Sequence, residues 1–183
     1  MPATLAKPLD YDDYVRFPDD HKRYEIIDGA LQMSPSPNYF HQEASAILFT
    51  ALRTYARAHN LGVVLSAPID VILGPHDIVV PDIVFVSENR REIIEKRGIV
   101  GPPDLIVEIL SPSTRERDLT EKRHAYERHG VHAYWAVDLD AEHVLAWRLT
   151  EGRYGDPERL SGADVLTTAL LPNFSLPTAA VFV

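Results

Sequence analysis

The sequence predicts an α/β (α+β) fold: a mixed β-sheet flanked by helices, with an N-terminal β-hairpin. Three observations predict it. Tyr24-Glu-Ile-Ile-Asp28-Gly29-Ala-Leu-Gln-Met33 reads as two short strands around an Asp-Gly turn. Ala44, Ile47, Leu48, Ala51, Leu52 and Tyr55 then recur at helical steps. Finally, two apolar runs, Ile78-Val-Val-Pro-Asp82-Ile-Val-Phe-Val86 and Asp104-Leu-Ile-Val-Glu108-Ile-Leu110, read as buried strands.

Each element follows in order. A short helix is expected over 11–17, then the hairpin, which Ser34-Pro-Ser-Pro37 ends. Asn38 is the expected N-cap of the long helix and Asn60-Leu-Gly62 its stop. Strands at 63–65 and 69–73 flank Pro68, and Gly74-Pro-His-Asp77 turns into the Asp82 run. A short charged helix is expected over 88–97, before Pro102-Pro103 leads into the Glu108 strand. Ser113 and Glu116 have capping-box spacing, so a helix should start there and stop at Gly130. Ala133-Tyr-Trp-Ala-Val137 and 143–149 are the next strands, and Leu171-Pro-Asn-Phe-Ser-Leu-Pro177 an extended closing segment. One domain over 1–183 is expected, with its core at about 20–150 and the closing segment at 151–183.

The composition narrows function. At 45% hydrophobic and 25% charged the chain is globular. It has no cysteine, which removes disulfides, thiolate metal sites and cysteine nucleophiles. No leader pattern or membrane-length apolar run is present, so a soluble, cytoplasmic protein is expected. A net charge of −9 argues mildly against general nucleic-acid binding. Two basic clusters, Arg90-Arg91 with Lys96-Arg97, and Arg115, Arg117, Lys122 and Arg123, still flank the odd carboxylates.

Those carboxylates carry the chemistry. Asp82 and Glu108 interrupt runs that should be buried, and a lone ionised carboxylate costs several kcal/mol to bury. Lys122 is the third charge out of place. It lies three residues after Leu119 and four before Tyr126, on the packing stripe of its helix. Pairing with Asp118, four residues back, is the plain alternative. Three coincident violations point to a shared site. Two carboxylates holding a hard cation, with a lysine beside them, suit metal-assisted phosphodiester hydrolysis.

These residues resemble a known group. Pro81-Asp82, Glu108-Ile-Leu110 and a displaced Lys122 resemble the PD-(D/E)xK nuclease superfamily. The ordered series is similar to the bacterial "Uma-two" family of restriction-endonuclease-like proteins. It comprises Tyr24-Glu-Ile-Ile-Asp-Gly29, Ser34-Pro-Ser-Pro37 with His41, Pro81-Asp-Ile-Val-Phe-Val86, and Pro103-Asp-Leu-Ile-Val-Glu-Ile-Leu-Ser-Pro-Ser113. Asp118-Leu-Thr-Glu-Lys122, Tyr126, Gly130-Val131 and Tyr134-Trp-Ala-Val-Asp138 complete it. The resemblance covers roughly 10–175 and implies a restriction-endonuclease-like core. It also implies Asp82 and Glu108 as ligands of Mg2+ or Mn2+, Lys122 as the catalytic lysine, and DNA as the partner. Leu110 stands where the superfamily's lysine usually sits, so the assignment depends on Lys122 facing inward.

Other residues have two readings. Glu25 is either an exposed strand position or, by the resemblance, a supporting or additional ligand. His41 either caps its helix or supports the site. Asp77, Asp104 and Ser111 read as turn residues, Trp135 as core, and the remaining histidines show no zinc-ligand grouping. The expected activity is that of a metal-dependent endonuclease acting on DNA, working as a homodimer, with no membrane partner. The alternative is a catalytically inactive nuclease-fold module serving in a protein or nucleic-acid complex. Hydrolysis of another phosphoester is a third reading.

Overall fold

In the computed structural model, residues 7–18, 20 and 22–182 are described. A short helix α1 (Tyr11–Tyr14) precedes the hairpin of β1 (Arg23–Ile27) and β2 (Ala30–Ser34). The turn between them uses Asp28 and Gly29 at φ 50° and 74°. Both residues occupy the left-handed region that a two-residue hairpin turn demands. Helix α2 (Tyr39–Ala58) starts where Asn38 accepts a hydrogen bond from the His41 amide. Strands β3 (Gly62–Ser66), β4 (Val71–Gly74), β5 (Asp77–Val79) and β6 (Ile83–Ser87) follow. Next come β7 (Ile94–Glu95), β8 (Gly98–Val100) and β9 (Leu105–Leu110). The helical segment 115–129 is built of α3 (Arg115–Arg117), a π-helical turn (Asp118–Lys122) and α4 (Arg123–His129). It ends at Gly130, whose φ is 84°. Strands β10 (Ala133–Asp138), β11 (His143–Thr150), β12 (Arg153–Tyr154), β13 (Glu158–Ser161), β14 (Val165–Leu166) and β15 (Leu176–Pro177) complete the chain.

The strands divide into two large mixed sheets rather than one. The first runs β2-β1-β5-β4-β8-β7, the second β12-β11-β10-β9-β6-β3 with β13 beside β11. β9 and β10 are parallel, joined by the 115–129 crossover. Leu105, Val107 and Ile109 of β9 pack against Leu48 and Leu52 of α2, together with Phe174 and Val181 of the closing segment. On the opposite face, Ile106 and Leu110 meet Ala125 and Tyr126 of α4, with Ile27 and Val79 of the first sheet. Glu108 shares this second face.

Three expectations are corrected. The run 78–86 is not one strand: β5 pairs with β1 and β4 in the first sheet, whereas β6 pairs with β3 and β9 in the second. Pro81, which has no amide to donate to a ladder, lies at the crossing, and Asp82 directly precedes β6. The charged segment 88–97 is helical only in its first part. A 3-10 helix (Glu88–Ile93) leads into the β7–β8 hairpin, where Ile94 pairs with Ile99 because the β-branched residues find a sheet edge to join. The Ser113–Glu116 capping box does not form. Thr114 is the N-cap without a side-chain cap bond, and its hydroxyl lies 2.9 Å from that of Ser111.

Asp77 does more than close a turn. It accepts the Asp28 amide at 2.9 Å and lies 2.8 Å from His129 Nε2 and 3.0 Å from Arg128 Nη2, tying the hairpin to α4. Burial pushes its carboxyl up, but His129, the Asp28 amide and Arg128 prevail and hold it at about 2, below the ordinary 3.8. A depressed carboxylate stabilises the fold above its unfolded pKa, and that contribution is lost as pH falls through the folded one. Asp77→Asn is therefore expected to cost about 1 kcal/mol at pH 7 after solvent screening. It should also flatten the loss of stability between pH 4 and pH 2. Urea unfolding across that range checks this, and an unaltered acid limb would reject it.

Candidate active site

The C-terminal end of β9, the start of β6, β1 and the 115–129 segment meet at one open cavity of about 440 Å3. Asp82, Glu108 and Lys122 all line it. Lys122 is 2% exposed, so the inward register expected from its spacing is what the helix adopts. Its Nζ lies 2.6 Å from Glu108 Oε1, 2.9 Å from Glu25 Oε1 and 3.7 Å from Asp118 Oδ1. The intrahelical pair with Asp118 exists, but it is the longest of the three contacts. Lys122 closes the π turn, where i→i+5 bonding widens the helix, and Asp118 at its other end is also buried.

Glu25 is fully buried, against the exposed reading of its strand. Both faces of β1 are covered: Ile26 packs with Ile78 beneath aromatic residues of α1, while Ile27 enters the core under α4. Glu25 therefore points the same way as Ile27, toward Lys122. Its Oε1 accepts the Val80 amide at 2.8 Å, and Arg117 Nη2 is 3.8 Å from Oε2. Asp82 is held from three sides. Arg23 Nη1 reaches Oδ1 at 3.1 Å, the Ile109 amide reaches Oδ2 at 2.9 Å, and His41 Nε2 lies 3.2 Å from Oδ2. The imidazole of His41 thus supports Asp82, while its own amide takes the Asn38 cap.

Electrostatics separates the carboxylates. Burial raises all of them, but for Asp82 the hydrogen bond and charge of His41, with Arg23, prevail and hold it below its usual range. For Glu25, burial is outweighed by Lys122 and the Val80 amide. Glu108 goes the other way: burial, with Asp118, Asp82 and Glu25 adding to it, outweighs Lys122 and pushes it up to about 8. Lys122 is held well above its ordinary value, because Glu108, Glu25 and Asp118 overcome its burial.

Sequence reasoning missed three participants. Tyr126 donates its hydroxyl to Glu108 Oε1 at 2.5 Å. It stands on the same helical stripe as Lys122, and a buried phenol needs a partner. Arg23 lies two residues before Glu25 on one strand, the period that places them on one face. Arg117 donates to Ser34 Oγ at 2.6 Å, joining the helix to the hairpin; nothing in its spacing marks this.

The donor set fits a hydrated hard cation. Both contacts to Glu108 fall on Oε1, and Arg23 meets Asp82 at Oδ1 while Oδ2 takes the remaining contacts. Four carboxylates (Glu25, Asp82, Glu108 and Asp118) gather around three cations (Lys122, Arg23 and Arg117), and Glu108, pushed up to about 8, holds a proton that a bound cation would displace. Among the described residues no group of three His, Asp or Glu side chains is arranged to hold a metal. Two carboxylates with water filling the other positions is the arrangement available.

A profile of the Uma2 family, described as "Putative restriction endonuclease", matches residues 11–179. The chain belongs to the Uma2 family. The match takes in Arg23, Glu25, His41, Asp82, Glu108, Asp118, Lys122 and Tyr126. A solved structure from Anabaena variabilis, described as "a putative nuclease belonging to DUF820", is similar in fold. Its TM-score is 0.79 at 20% identity, covering 96% of this chain and 98% of that one. No curated protein matches the chain significantly. Among the described residues, no helix is long and apolar enough to cross a membrane.

Proposed function

We propose that this Uma2 chain is a metal-dependent endonuclease that hydrolyses DNA phosphodiester bonds, acting as one domain over 1–183. Asp82 and Glu108 hold Mg2+ or Mn2+, and Lys122 is the catalytic lysine. The observation that supports this is the meeting of three buried charges, Asp82, Glu108 and Lys122, on one cavity open to solvent. When bound, the ion supplies a Lewis acid for a phosphoryl oxygen and lowers the pKa of a water.

The protein's own residues do the rest. Lys122 keeps its proton and meets negative charge as it develops on the phosphate, already oriented and already desolvated. Glu25 positions that ammonium. Tyr126 orients Glu108 through Oε1, and His41 with Arg23 keeps Asp82 ionised. A two-fold homodimer presenting two cavities to two strands, and a cytoplasmic location, belong to the same proposal.

The test is cleavage of plasmid and branched DNA with added Mg2+ or Mn2+. Asp82→Ala and Lys122→Ala are each expected to lose on the order of 100-fold or more in rate. Activity that survives both substitutions would sink the assignment.

One observation favours a second reading, the inactive module. Arginines of both basic clusters are paired internally: Arg90 with Asp104, Arg91 with Glu88, Arg97 with Glu95 and Arg115 with Asp138. No turnover on any DNA form, with no calorimetric metal binding, would select it.

A further inference from the structure

We propose that the strand entering this cavity is unpaired DNA, and that one of its bases stacks on Phe40 at the cavity mouth. The proposal rests on the nuclease reading and names its substrate class. Depth is the first argument. Glu108 and Lys122 are 2% exposed and Asp82 4%, so a phosphate reaches them only by entering the cavity. At about 440 Å3, that cavity has the size of a small-molecule site. A duplex is stiff over about 150 base pairs and carries a second strand alongside the first. An unpaired strand rotates about its backbone and inserts one phosphate with its sugar and base.

The second argument is the pair of aromatic rings left in water. Six large hydrophobic side chains are exposed among the described residues, and only Tyr39 and Phe40 are aromatic, at 70% and 57%. They open α2 and stand edge to face, ring centroids 5.4 Å apart. Phe40 lines the same cavity as Asp82 and Glu108. Every base offers a π face, and stacking on an aromatic side chain is the means by which single strands are held irrespective of sequence.

Charge completes it. Arg23 and Arg117 line the cavity on the phosphate's route, but Asp140 and Glu142 line it too. Electrostatic attraction is thereby weakened, and stacking must carry much of the affinity. A shallow salt dependence follows.

The experiment is fluorescence anisotropy in EDTA, where nothing is cleaved. It compares a labelled single strand of about 12 nucleotides with its duplex. The single strand should bind at least about ten-fold more tightly. Phe40→Ala should weaken it roughly ten-fold without changing the salt slope, and Phe40→Trp should retain it. At their exposure these substitutions leave the core untouched. Equal or tighter duplex binding, no binding to either form, or an unchanged Phe40→Ala affinity overturns the proposal. So does a self-association that Phe40→Ala abolishes without affecting DNA binding, which would make the ring a contact between copies. Cleavage by a protein that prefers duplex would overturn this inference and leave the nuclease reading standing. Phe40-dependent single-strand binding without cleavage of any DNA would do the reverse.

Discussion

Lys122→Ala is expected to destabilise the protein by about 3–5 kcal/mol at pH 7, the cost of leaving buried carboxylates without their partner. Glu25 and Glu108 both lie within 2.9 Å of its ammonium, and Asp118 lies 3.7 Å away. No water replaces an ammonium's charge there. The loss is expected to depend on pH, and its sign follows from Glu25. That carboxyl is held below its ordinary 4.5 chiefly by Lys122, against its own burial. It therefore stabilises the fold above about pH 4.5 and loses that contribution as pH falls. Without Lys122 the same carboxylates are pushed up instead, so the deficit is full at pH 7–8 and shrinks toward pH 4. Lys122→Met, which fills the volume, should recover part of the packing but none of the pH dependence. Urea midpoints of the three proteins from pH 4 to pH 8 decide this. A deficit that is the same at both ends would show that Lys122 acts by packing alone.

The same residue shows how far the sequence could be read. Lys122 was legible because helical spacing fixes a face, and a lysine on an apolar face is a contradiction visible without coordinates. Glu108 was legible for the equivalent reason in a strand. Glu25 was not: its alternation is satisfied by one buried face, and only the second layer, α1 over Ile26, shows that both faces are covered. Long-range pairing is what a single run cannot carry. The chain through 78–86 is apolar on both sides of Pro81-Asp82; the proline can mark a break, but nothing in the pattern tells that β5 and β6 belong to different sheets. The segment 88–97 misled for a related reason. Its charges fit a solvated helix, but β8, on which β7 folds back, is held in its sheet by β4, far earlier in sequence. Tyr126 was read as core, which it is, and its hydroxyl's role appears only when β9 is laid beneath it.

Glu108→Gln is expected to abolish cleavage, by roughly 1000-fold, while leaving the metal-free protein no less stable at pH 8 than the wild type. The two halves have one cause. Burial, with Asp118, Asp82 and Glu25 nearby, raises Glu108 to about 8 from its ordinary 4.5. The folded state therefore holds a proton that the unfolded chain releases, and stability falls as pH rises from about 4.5 through 8. Each pH unit in that window costs about 1.4 kcal/mol at full difference, so several kcal/mol are at stake. Glutamine keeps the oxygen that accepts from Lys122 and Tyr126, and it cannot ionise. In EDTA the wild type is expected to lose stability as pH rises from 5 to 8, and the variant should lack that downward slope. Parallel slopes, or a variant weaker at pH 8, would reject the argument. Calorimetry supplies the complementary reading. A divalent ion binding Glu108 must displace its proton, so the wild type should release about one proton per ion at pH 7. Glu108→Gln has no proton there to release, and its weaker binding should proceed without that uptake by the buffer.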